Sequence, residues 1–262
     1  MLRVRPEQYQ ALASESRRRY AARLINHLRD TFPLQTGMAE DGAMTAFVAL
    51  AMDQAMAIGI DTEASVQSFA DHLLLLGADF PRNPLCQEIC APLFDSELIS
   101  PVQRIDELHD LAWPYLEGVR GPDGVDQIQA AARLRAWMAN RGIQRGVGLD
   151  ELLEALRRIY PTRAMAHPRA VLSAFCEEAL RRAGEDNFSQ TPARALYVCT
   201  AFVAGLGFFH DPLIRAGAAA QATALDTETD PGQRTALLWQ GVDAYLRQLL
   251  EQVQQASGRD EE

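Results

Sequence analysis

The residues of this chain best suited to chemistry are five histidines, at positions 27, 72, 109, 167 and 210, and four cysteines, at 86, 90, 176 and 199. No two histidines form H-x-x-x-H or H-E-x-x-H, the spacings by which imidazoles on one helix face hold zinc. His109-Asp110 and His210-Asp211 set an imidazole beside a carboxylate. Neighbours on a helix point about 100° apart, however, and do not pair simply. Cys86 and Cys90 are four apart, which places them on one helix face. That is neither the C-x-x-C redox spacing nor half of a zinc site, so all four thiols read as buried cytosolic cysteines. Glu177-Glu178 shares its segment with Arg181 and Arg182 and reads as an ion-paired outer helix face. There is no G-x-S-x-G elbow, G-x-G-x-x-G loop or Walker A motif, and Gly205-Leu206-Gly207 follows a helical pattern where a phosphate loop follows a strand. These residues predict no catalytic site, cofactor site or metal site. An enzyme whose site is assembled from distant residues stays an alternative.

Charge narrows the partners. The 262 residues carry 35 acidic against 25 basic side chains, a net charge of −10, and every basic residue is arginine. With no lysine, a Schiff base, a P-loop lysine and a Ser-Lys dyad are excluded. The negative field disfavours DNA, RNA and anionic lipid. Met1–Tyr20 carries five arginines with no apolar stretch behind them, which is not a secretory signal. The longest nearly apolar run, Leu196–Phe209, has 14 residues where a bilayer span needs roughly 20. A cytoplasmic protein with a protein partner, and neither nucleic acid nor membrane, is the expectation.

Two features suit contact with that partner. Arg17-Arg18-Arg19 is a basic turn in an acidic chain, which a solvated helix face also explains. Trp113, at the edge of a helix stripe and followed by Pro114, has the type of an interface anchor, although boundary tryptophans also pack on their own fold.

The elements that would position these side chains are helices, and they occur twice. Shifted by 128 positions, segment 24–85 falls on 152–213 without a gap and with 12 identities in 62 positions, where chance gives about four. Leu24, Leu28, Arg29 and Pro33 meet Leu152, Leu156, Arg157 and Pro161. Phe47, Ala51 and Ala55 meet Phe175, Ala179 and Ala183; Gly77, Phe80 and Pro84 meet Gly205, Phe208 and Pro212. After a two-residue insertion, Pro101, Gln103, Arg104, Leu108, Tyr115 and Leu116 meet Pro231, Gln233, Arg234, Leu238, Tyr245 and Leu246.

This pattern predicts an all-α fold of two tandem helical repeat units, packed about a pseudo-two-fold axis. Unit 1 spans 1–120, a linker plus extra helix 121–144, unit 2 145–256 and a frayed tail 257–262. Within a unit, the first helix carries Leu12, Tyr20, Leu24, Ile25 and Leu28 and stops at Pro33. A second spans about Ala43 to Ile58. A third is capped by Asp61 or Ser189, carries Val66, Phe69, Ala70, Leu73 and Leu74 in the first copy, and ends at Gly77 or Gly205. A short helix follows Pro84 or Pro212, and the last carries Leu108, Leu111, Ala112, Tyr115 and Leu116 or their counterparts. Gly121-Pro122-Asp123-Gly124 and Gly146-Val147-Gly148 mark breaks, with a helix from about Val125 to Asn140 between them.

Met1 to Val119 resembles a family of small helical accessory proteins encoded beside type VI secretion effectors. The residues that carry the likeness are Met1-Leu2-Arg3-Val4-Arg5 with Gln8, the Arg18–Arg29 helix, Ala55-x-x-x-Gly59-Ile60, Phe69, Leu76-Gly77-x-x-Phe80 and Asp106-x-x-x-x-Leu111. The second half departs by having Asn187-Phe188 where the pattern has Gly-Ile. The resemblance implies a non-catalytic adaptor or co-chaperone that binds a secreted effector or its chaperone. An immunity protein masking a basic toxin is the alternative that the acidic charge suits.

Overall fold

The computed structural model describes residues 6–37, 39–94, 100–140, 148–217 and 230–259, and all its regular elements are helical. The first half contains α1 (Pro6–Thr31), α2 (Pro33–Thr36), α3 (Asp41–Ala57), α4 (Glu63–Leu76), α5 (Gln87–Phe94) and α6 (Pro101–Arg120). Then comes α7 (Val125–Ala139). The second half contains α8 (Leu149–Ile159), α9 (Pro161–Met165), α10 (Arg169–Glu185), α11 (Thr191–Ala204), α12 (Pro212–Gly217) and α13 (Pro231–Arg259). Met1–Arg5 and Gly146-Val147 lie outside the described residues.

Prolines punctuate these boundaries. Pro33, Pro101, Pro161, Pro212 and Pro231 each open a helix, where the missing N–H is not needed and the fixed φ suits the first turn. Helix α3 buries Met44, Phe47, Val48, Ala51 and Ala55, and α10 buries Leu172, Phe175, Cys176, Ala179 and Ala183, both at three- and four-residue steps. Both helices have 17 residues, α4 and α11 both have 14, and the members of each pair begin 128 positions apart. Gly59 (φ 75°) precedes buried Ile60, and Asn187 (φ 63°) precedes buried Phe188. Asparagine is among the few residues that enter the left-handed region readily, so the departure from Gly-Ile keeps the backbone path. Arg104 Nη1 donates to Ile58 O (2.9 Å) and Leu93 O (2.8 Å), and Arg234 Nη1 donates to Asn187 O (3.0 Å). The matched arginines thus tie the last helix of each half to the same turn.

Several expectations are corrected. The cap of α4 is Thr62, whose Oγ1 accepts from Ser65 N at 3.3 Å, one residue beyond Asp61. The cap of α11 is Gln190, beyond Ser189, whose side chain makes no capping bond to the helix backbone. Pro192 in that first turn removes one of the N–H groups a cap would serve. Leu12 and Leu111 are exposed, so neither helps fill the core. Leu74 is only half-buried, while His72 and Leu76 of the same helix are buried. Cys86 sits in a 3₁₀ turn (Pro84–Cys86) and only Cys90 is on a helix. The helix expected from about Val125 is α7, which packs on α8, α11 and α13, and its Ala130, Ala131, Leu134 and Met138 join the second half's core. Helix α13 runs to Arg259, into the stretch expected to fray.

Two apolar cores, one per half, meet across a seam in which elements are exchanged. Helix α3 packs on α12, and α10 on the Pro84–Cys86 turn. Helix α9 packs on α6, where Thr162 Oγ1 donates to Val119 O (3.1 Å), and Gln252 Nε2 of α13 donates to Pro33 O (3.4 Å) of α2. At the centre the ends of α4 and α11 cross at Gly77 and Gly205, and Gly207 N donates to Ala78 O (2.9 Å).

Asn83 and Asp211, 128 positions apart, both lie buried in this seam, and each accepts the backbone N–H two residues on, from Leu85 (3.0 Å) and Leu213 (2.9 Å). Burial pushes Asp211 from its ordinary 3.8 up to about 6, against the pull of the amides it accepts from. A carboxyl whose folded pKa is raised favours the fold when protonated. Its contribution is complete below about pH 4 and is lost as pH climbs through 6, by about 3 kcal/mol. Asp211→Asn should therefore stabilise the protein at pH 7.5. The net gain is about 1–2 kcal/mol, since Asn83 Nδ2 is buried without a partner and a second such amide carries its own penalty. Denaturant melts at pH 4 and 7.5 check this: the order of variant and native protein should invert between them.

Candidate partner-binding groove

The residues singled out in the sequence do not come together. Arg17, Arg18 and Arg19 lie on the exposed face of α1, within a helix and not a turn, and all three are paired: Arg17 with Asp53 of α3, and Arg18 and Arg19 with Glu15. A run so neutralised is a weak anchor for an anionic partner. Trp113 is 48% exposed on α6. Its indole N–H donates to Glu117 Oε1 (2.9 Å) and its ring stacks on His109 at 5.8 Å, so a large apolar surface is held in one orientation.

Around Trp113, side chains of α1, α4 and α6 form a chain of contacts at the surface. His109 meets His72 edge-on at 5.6 Å. His72 is buried and hydrogen-bonded through Nδ1 to Ser68 O (2.6 Å), and burial holds its pKa below the ordinary value. From α1, His27 Nε2 bonds Asp71 Oδ1 of α4 (2.9 Å), and burial raises Asp71 while His27 opposes the rise. The α6 side of this surface is acidic, with Asp106, Asp110 and Glu117 exposed.

The second half shows what covers the matching surface. At the positions of His27, Asp71, His72, His109 and Trp113, offset by 128 or 130, stand Ala155, Cys199, Thr200, Trp239 and Asp243. They belong to α8, α11 and α13, and α7 lies on those three helices. Trp137 of α7 stacks on Trp239 at 6.3 Å, and Arg135 Nε bonds Asp243 Oδ1 at 2.9 Å. Ala155, Cys199 and Thr200 are thereby buried. In the first half Asp71 and His27 stay about a quarter exposed, and His109 and Trp113 are open. The signal that marks them is the contrast at matched positions, polar in one half and small in the other.

The remaining reactive types are occupied structurally. All four cysteines are buried and free, and burial pushes Cys86 up to about 11 and Cys176 up to about 12, with Cys90 and Cys199 also raised. They are thiols at neutral pH, not nucleophilic thiolates. His167 bonds the Tyr115 hydroxyl (3.1 Å), and burial together with Arg163 lowers it to about 4. His210 bonds Asp186 at 2.8 Å and pairs with neither Asp211 nor any cysteine. No group of three or more His, Cys, Asp or Glu side chains converges for a metal among the described residues, and no described helix is long and apolar enough to cross a membrane. Compared with protein-family models, curated proteins and solved structures, the chain matches none.

Proposed function

We propose that the chain is two copies of one helical unit and acts as a non-catalytic, cytoplasmic accessory factor that binds another protein through the α1/α4/α6 surface. Duplication is supported by two helix pairs, α3 with α10 and α4 with α11, of equal length at one offset, and by the exchange of counterpart elements across Gly77 and Gly205, where a pseudo-two-fold axis would pass. The binding role is carried by one observation. The face that α7 covers in the second half has its counterpart in the first with His109 and Trp113 exposed. The partner has the chemistry of α7: an amphipathic helix with small and aliphatic residues inward and arginine or lysine at its edge, to meet Asp106, Asp110 and Glu117. The resemblance of the first half to type VI accessory proteins makes that partner a secreted effector or the effector's chaperone, with this protein as adaptor or co-chaperone.

Co-expression with the neighbouring effector and chaperone tests the proposal. The protein should co-purify with one of them and be needed for effector delivery, while the bound toxin stays active. Trp113→Ala should weaken the complex by about 2 kcal/mol, roughly thirtyfold, with the melting temperature little changed because the ring is half exposed. The acidic face of α6 also suits a basic toxin, which favours immunity as the second reading. If cells lacking this protein are killed by their siblings' effector and its expression rescues them, the adaptor role is wrong and immunity replaces it.

A further inference from the structure

The seam holds a cavity of about 110 Å³, whose lining includes Tyr115, Arg120, Gln127, Tyr160 and Arg163. Arg163 is only 6% exposed. Its Nη1 donates to Phe202 O (2.7 Å), its guanidinium lies 5.5 Å from the Phe202 ring centre and 6.0 Å from that of Tyr160, and its Nε has no partner. Arg120 Nε donates to the neutral Gln127 Oε1 (2.8 Å). Among the described residues neither guanidinium has a carboxylate within ion-pair distance, although ion pairs engage many other arginines of the chain.

The groups nearest these cations do not supply the missing charge. Tyr115, Tyr160 and Cys86 are all pushed up by burial and are neutral at pH 7. Asp211 also lines the cavity, but its carboxylate accepts backbone amides and forms no ion pair with either arginine. Two guanidiniums that line one cavity and pair with no carboxylate make that lining a favourable place for an anion. The pairing is also specific to one side: the position matched to Arg163 is Gln35, and that matched to Arg120 is Leu250. A copy of this unit folds without either charge there.

We propose that the seam cavity binds one small oxyanion, of the phosphate or carboxylate class, with Arg163 and Arg120 of its lining as the cationic contacts. Planar guanidinium forks suit either geometry. A single water needs on the order of 10–15 Å³ measured this way, so the space is large enough for a phosphate- or acetate-sized anion. The site is independent of the α1/α4/α6 surface, and its failure would leave the adaptor proposal standing.

Thermal melts and calorimetric titration of the full chain at pH 7, with sodium phosphate, sodium acetate or sodium chloride at one ionic strength, test it. Phosphate or acetate should give a saturable rise in melting temperature over chloride and an isotherm with one site per chain. A response to phosphate alone identifies a tetrahedral ligand, and a response to acetate alone a carboxylate; either supports the site. Arg120→Gln, at a half-exposed position that tolerates leucine in the matching helix, should weaken binding by about tenfold or more. Arg163→Gln should abolish it if the variant folds. No rise above chloride overturns the proposal. So does a non-saturating rise that the native protein and Arg120→Gln share, which is the general effect of such salts on burial.

Discussion

Gly77→Ala and Gly205→Ala should each destabilise the protein by about 3–5 kcal/mol, and by similar amounts. Gly77 has φ 96° and ψ 152°, and Gly205 has φ 106° and ψ 151°, a region that L side chains scarcely enter and that costs about 1–3 kcal/mol. Space adds to strain. A Cβ on Gly77 would lie 2.7 Å from Gly205 Cα and 3.0 Å from Ala204 O, and one on Gly205 would lie 2.8 Å from Gly77 Cα. These obstacles are backbone, so no rotamer change relieves them, and such overpacking costs a further 1–3 kcal/mol or so. Denaturant unfolding of both variants measures the effect. A change below about 1 kcal/mol in either would mean that α4 and α11 do not cross there. A large loss in one only would argue against a symmetric seam.

Phe47→Ala and Phe175→Ala should likewise cost about 3–5 kcal/mol each, the usual penalty for emptying a buried aromatic site. Both rings are fully buried, Phe47 in the first core and Phe175 in the second, where it packs 5.5 Å from Phe202. Removing either ring opens a cavity that neighbouring helices, pinned at the seam, cannot close. Thermal melts left unchanged by both substitutions would show that these positions are not core. The two sites lie in separate clusters, so the double variant should lose close to the sum of the single losses.

Much of the fold was legible because helix ends are local events. Pro33, Pro84, Pro101, Pro161, Pro212 and Pro231 all mark element starts in the structure, and Gly77 and Gly205 end their helices. Some expectations missed by one residue, as at Asp61 and Thr62, others on a stripe, as at Leu111, and one on an element type, as at Cys86. An apolar residue at helical spacing says that a face could be buried, not that anything lies over it. Trp113 was visible as a candidate anchor, but its surroundings were not. His27, Asp71 and His109 are separated by long stretches of sequence, and each alone looks like an ordinary solvated side chain.

The sequence by itself therefore determined the helical class, the element boundaries and the correspondence at offsets 128 and 130. Each depends on hydrogen bonds within four residues or on the identity of single prolines and glycines. Only the tertiary structure decided what covers what. It laid α7 across α8, α11 and α13 and left His109 and Trp113 of α6 exposed. It set α9 against α6, and buried Arg163 without a carboxylate. Those choices turn on contacts such as Arg135 with Asp243, 108 positions apart. They follow from competition among all available apolar faces, which no local pattern encodes.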